Sequence, residues 1–226
     1  MYFDPWYFII IAPGLLLALI ASVWVRLAFS RYSRTPLAGG YSGAEVAREL
    51  LRRSGIGDVG VEEHQGFLSD HYHPLQKVVR LSPDIYRGRS VAAAAIAAHE
   101  VGHAIQHARR FSLMSLRQAL VGPANLGSNL SYILIILGFV LHAMGLVWAG
   151  IILFSAVVLF QLVTLPVEID ASRRARANLL ETGIVSPVQA PAVSRMLTAA
   201  ALTYLAAVIT SILTLVYYIM RAQSRD

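Results

Sequence analysis

Residues 130–165 read LSYILIILGFVLHAMGLVWAGIILFSAVVLFQLVTL, 36 positions with no charged side chain. A helix crosses about 30 Å of hydrocarbon with roughly 20 residues, so this stretch holds two crossings rather than one. His142 and Gly145 interrupt the run, which predicts a helical hairpin over residues 131–165 that turns at 142–145. The charge-free segment extends further, from Gln118 to Val167. Asn125, Ser128 and Asn129 therefore lie either in a turn before the first helix or inside a longer one.

Outward from the hairpin, residues 6–25 form a charge-free run of spanning length, as do residues 196–220. Pro13 and Gly14 sit inside the first run, where a membrane helix tolerates them because its neighbours satisfy the freed backbone groups. No Lys or Arg precedes that run, while Arg26, Arg31 and Arg34 follow it, a pattern that argues for a spanning helix over a cleaved signal peptide. Only 14% of the chain is charged and 56% is hydrophobic, against about 25% charged in soluble domains. The expected fold class is thus mainly α: a multi-pass helical membrane protein with four transmembrane helices and a small α+β domain outside the bilayer.

The basic residues orient it. Thirteen Lys and Arg lie between the first and second spans and four between the third and fourth; the hairpin tip has none. The positive-inside rule then places both polar segments in the cytoplasm and both termini outside. The net charge of +6 falls entirely on those two segments, so it reads as an orientation signal and calls for no nucleic-acid partner. The expected division is a transmembrane helix (1–29), a cytoplasmic domain (30–128), the hairpin (129–165), a cytoplasmic helix begun by Pro166 (166–195) and a last transmembrane helix (196–220).

Within the cytoplasmic domain, Ser42 and Glu45 form a capping box ahead of an amphipathic helix that Gly55 ends. Residues 59–61 and 77–81 read as short strands, separated by a polar loop with Asp70, His71, Tyr72, His73 and Pro74. The 77–81 strand is a candidate exposed edge for an extended peptide. Ser90 caps an alanine-rich helix running to at least His107.

That helix carries His99-Glu100-Val101-Gly102-His103, an HExxH motif. Residues at i and i+4 share a helix face, so both imidazoles reach one tetrahedral zinc, and Glu100 lies beside the open position as base for a water the zinc activates. The chain has no cysteine, so the remaining ligand is a His or a carboxylate. A metzincin would place a His at Arg109. His107 lies two turns along the axis, about 12 Å from His99, too far to share the ion. It reads as a solvent-facing or substrate-lining residue. His142 lies across the bilayer. Glu168, returned to the same face by two crossings, is the expected third ligand, with Asp170 as the reserve or as the acceptor that orients a ligand imidazole. One zinc per chain is expected. His71 and Tyr72 are the candidate oxyanion donors, although Asp70, His71 and Pro74 are also ordinary turn formers. Arg173 and Arg174 contact substrate or, more in keeping with their place at the end of a span, lipid headgroups.

Four blocks carry a resemblance: AAHEVGHAIQH (97–107), GFLSDHY (66–72), GSNLS (127–131) and LVTLPVEIDASRRA (162–175). Together they resemble the YugP-type membrane zinc metallopeptidases of bacteria. The resemblance implies a gluzincin-type, multi-pass membrane peptidase with ligands at His99, His103 and Glu168 and Glu100 as base. Two positions depart from the pattern. His73 stands where the family has Asp. Ser172 stands where many gluzincins carry an acidic residue, which points to Asp170 for support of the imidazoles. The expected activity is endopeptidase cleavage of membrane or membrane-proximal proteins on the cytoplasmic side. A membrane scaffold with a structural metal and a zinc hydrolase of lipid amides or esters are the competing readings.

Overall fold

The computed structural model describes residues 5–224. Its elements are α1 (Pro5–Tyr32), α2 (Gly43–Arg53), β1 (Gly60–Glu63), β2 (His71–His73), β3 (Val78–Leu81), α3 (Pro83–Tyr86), α4 (Val91–Ala108), α5 (Ser112–Val140), α6 (Met144–Glu181) and α7 (Ala190–Gln223). The protein is mainly helical, and α1, α5, α6 and α7 are long and apolar enough to cross a membrane. Only 17% to 33% of each apolar window is buried within the chain. Outward faces that apolar suit a solvent without water, since helices satisfy their own backbone groups and apolar surface at this scale is compatible with lipid and not with a soluble monomer.

Two compact units form. Of the described residues, the first comprises 5–21, 112–166 and 202–224. Its helices pack through small residues: a Cβ on Gly14 would stand 2.6 Å from Thr210 Oγ1, and one on Gly127 2.6 Å from the Leu153 carbonyl oxygen. Such close approach is how membrane helices gain contact without a hydrophobic driving force between them. Ile135, Val147, Ile151 and Ala222 form its core.

The chain reverses at residues 141–143, with His142 at φ 54°, so Met144 and Gly145, expected in the turn, already belong to α6. Asn125, Ser128 and Asn129 lie inside α5, where Ser128 Oγ and Asn129 Nδ2 both donate to the Asn125 carbonyl. The expected new helix at Pro166 does not form: α6 continues unbroken through it to Glu181. A membrane helix absorbs the missing N–H donor locally, so Pro166 neither starts nor ends an element.

The second unit comprises residues 22–111 and 167–201. Ser42 and Glu45 make the full capping box, and Val46, Ala47, Leu50 and Leu51 of α2 are buried. The sheet has the order β1-β3-β2, with β1 parallel and β2 antiparallel to β3. β3 is therefore the central strand and not the exposed edge expected, because β1 and β2 pair with it on its two sides. Val78, Val79 and Leu81 are buried, as suits a strand covered on both sides. The polar stretch expected as a loop contributes β2, in register with β3 through Tyr72 opposite Val79. Ser90 caps α4 by accepting from Ala93 N–H, and the following alanines have no exposed surface, so α4 is the axis of this unit.

Candidate metal centre

His99 and His103 project from one face of α4, with ring centroids 4.8 Å apart. Between them Gly102 meets α6: a Cβ there would lie 2.7 Å from the Ala171 carbonyl oxygen. Glycine lets the two backbones close, and that closeness brings Glu168 to the histidines. Its Oε2 lies 3.1 Å from His99 Nε2 and 3.5 Å from His103 Nε2. The three donor atoms all fall within 4.8 Å of one another, and Glu168 is 1% exposed.

These separations suit a tetrahedral ion. Two donors each about 2.05 Å from zinc lie about 3.3 Å apart, close to the histidine–glutamate distances. The tautomers suit it as well. Gln106, fully buried, donates from Nε2 to the Val167 carbonyl (2.8 Å) and to Asp170 Oδ2 (2.9 Å). With both amide hydrogens spent, its Oε1 faces His103 Nδ1 at 3.0 Å, so that nitrogen carries the proton and Nε2 keeps its lone pair for a metal. Asp170 in turn accepts from Arg173 Nη2 (2.6 Å) and Arg174 Nε (2.5 Å). On the other histidine, Ser172 Oγ meets His99 Nδ1 at 3.2 Å, again leaving Nε2 towards Glu168.

Asp170 therefore orients His103 at one remove, through Gln106, and lies outside the ligand group. Ser172, read as a loss of support, itself supports His99. Gln106 was legible only as a polar residue one turn after a ligand on the same face; its burial could not be read from composition.

Glu100 is buried, and Tyr72 N–H donates to its Oε2 at 2.9 Å. This contact is why β2 matters: Tyr72 turns its N–H away from β3 and towards α4. Burial pushes the Glu100 carboxyl up to about 7, with His99 opposing and Glu168 reinforcing the shift. The Tyr72 hydroxyl meets His107 Nδ1 at 2.8 Å, and burial raises this phenol to about 12, so it remains a protonated donor. His107 thus faces Tyr72. His71 lies apart from this pairing, with Nδ1 on the Ser69 carbonyl (2.8 Å) and its ring against His64. Asp70 accepts from Ser82 N–H and Oγ and ties the start of β2 to that of α3. Arg173 is largely exposed beyond its ion pair with Asp170.

The structure is thus that of a helical chain with four candidate membrane spans, whose HExxH helix meets a glutamate from another helix in a His/His/Glu group that could hold a metal ion. Residues 7–223 match the family described as "Putative neutral zinc metallopeptidase", and the chain belongs to that family. It is similar to the "Putative membrane protease YugP" of Bacillus subtilis (strain 168), with 42% identity over 207 residues that cover 90% of this chain and 92% of that one. No solved structure matches it. The family expected from the four sequence blocks is the one found, and its name implies the zinc that the donor set suits.

Proposed function

We propose that this chain is a zinc-dependent endopeptidase that cleaves membrane or membrane-proximal proteins on the cytoplasmic side of the bilayer. The observation that carries the reading is the position of Glu168 Oε2 within 3.5 Å of both histidine Nε2 atoms, beside a buried Glu100. His99, His103 and Glu168 would hold the ion. When bound, zinc supplies Lewis acidity to a scissile carbonyl and lowers the pKa of a water.

The protein's own groups do the rest. Glu100 takes a proton from the attacking water at its carboxylate and passes it to the leaving amine nitrogen. Tyr72 N–H fixes that carboxylate against rotation. We assign oxyanion stabilisation to the Tyr72 hydroxyl, presented with His107. Gln106 holds His103 in the tautomer that ligation requires, and Ser172 orients the His99 ring.

The test is zinc content and cleavage of casein-derived peptides by the purified full chain. Glu100→Gln should retain one zinc and lose about 10²- to 10⁴-fold in rate, the usual scale of a general base. Alanine at His99, His103 or Glu168 should lose the zinc. Full cleavage by Glu100→Gln would end the proposal.

A further inference from the structure

A cavity of about 350 Å³ lies between α6 and α7, within residues 169–201, in the size range of small-ligand sites. One face of each helix lines it, with the spacing i, i+3, i+4, i+7 on both. Residues 182–189 turn the chain back between the two helices, so the lining is graded along its length. Where α6 leaves its apolar run and α7 enters its own, the walls are Ile169 and Ala201. Seven residues further along α6, about 10 Å of helix, stands Arg176, with Arg173 between; Ser194 occupies the corresponding outer level of α7. The slot is apolar at one end and cationic at the other, and no acidic side chain lines it.

Two further observations point to a ligand. Ser194 Oγ is buried without a hydrogen-bond partner, whereas a helical serine ordinarily returns its proton to a carbonyl one turn back. Among the described residues Arg176 has no ion-pair partner, because Asp170 is already spent on Arg173 and Arg174. Arg174, expected with Arg173 at the headgroups, stacks on Phe111 instead and lies outside the cavity.

We propose that this cavity holds one anionic phospholipid. Its phosphate rests on Arg176 with Arg173 alongside and draws the Ser194 hydroxyl out of its buried rotamer, and its first acyl carbons lie over Ile169 and Ala201. The guanidinium fork matches phosphate oxygens, and the apolar end opens on the side where both helices continue as membrane spans. A soluble anion would satisfy the cationic end only. Ser172 also lines the cavity and contacts His99 Nδ1, so the cavity wall lies one side chain from a candidate metal-site histidine.

The full chain in neutral detergent, examined by native mass spectrometry, tests this with three probes: phosphatidylglycerol, phosphatidylcholine and tail-less glycerol phosphate. One phosphatidylglycerol should bind per chain, at least about tenfold tighter than either other probe. Arg176→Gln and Ser194→Ala should each weaken it, the former by about tenfold or more, while Arg195→Gln, an exposed position on α7 outside the cavity, should change nothing. Equal binding of phosphatidylcholine, or equal loss in Arg195→Gln, would overturn the proposal as general bilayer adhesion. Equal binding of glycerol phosphate would overturn it in favour of a soluble phosphate. Unchanged lipid binding by Arg176→Gln with a raised KM for peptide would overturn it in favour of a substrate subsite.

Discussion

Replacing Gly102 by alanine adds one methyl group where α4 crosses α6. The new Cβ would stand 2.7 Å from the Ala171 carbonyl oxygen and 3.2 Å from its carbonyl carbon and Cα. Ordinary contact begins near 3.4 Å, and every neighbour is backbone, so no rotamer relieves the clash. The helices must separate by roughly 0.5–0.7 Å, an overpacking that costs about 1–3 kcal/mol. Alanine returns about 1 kcal/mol of helix propensity, leaving the fold between unchanged and about 2 kcal/mol weaker. The metal site is less forgiving. His99 and His103 ride on α4 and Glu168 on α6 one turn before Ala171, while ligand distances must hold to about ±0.2 Å. The zinc Kd should rise about 10- to 100-fold, or about 1.4–2.7 kcal/mol. Chelator-competition titration of the purified chain reads the Kd and a thermal melt reads the fold. Gly145→Ala, with nothing within 4 Å of its Cβ, is the control: it should leave zinc affinity unchanged and the fold unchanged or more stable by up to about 1 kcal/mol. Wild-type zinc affinity in Gly102→Ala, with a melt no lower than the control's, would refute the close-approach argument.

Further outcomes follow from the same geometry. Gln106→Leu leaves His103 Nδ1 and Asp170 without their buried partner and should weaken zinc about 10- to 100-fold in the same titration; an unchanged Kd would detach Gln106 from the site. In the metal-free protein Glu100 is held up at about 7 against an unfolded value of 4.5, so the fold binds the extra proton between these values and loses stability as pH rises through that window. Melts at pH 5 and pH 8 should therefore differ by about 2–3 kcal/mol more in wild type than in Glu100→Gln; parallel behaviour would show that the carboxyl titrates normally. Reporter fusions at residues 85 and 180 should share the cytoplasmic side and one at residue 143 should be external, whereas a split between 85 and 180 is incompatible with Glu168 beside His99.

Much of this was legible because the relevant signals are local. A charge-free run of spanning length identifies a membrane helix by itself, and the caps at Ser42 and Ser90 are encoded within four residues. The HExxH spacing places both imidazoles on one face of any helix that carries it. Even Glu168 could be reached by counting crossings, since a hairpin returns the chain to the side it left. The polar loop reading failed at β2 because three residues rich in His and Tyr carry too little periodicity to announce a strand. The edge reading failed at β3 because strand order is a property of the whole sheet.

Sequence alone thus pointed to four apolar helices of spanning length and to three candidate metal donors, both of which follow from hydrophobic patterning and residue chemistry along the chain. Tertiary structure alone decided what surrounds them. Gln106 fixes a tautomer only because Val167 and Asp170 arrive from α6, and Ser172 serves His99 only because Gly102 lets the two helices touch. Tyr72 reaches Glu100 only because β3 takes the centre of the sheet and leaves β2 beside α4. Each of these is a distance between segments remote in the chain, set by the packing of small residues at a crossing.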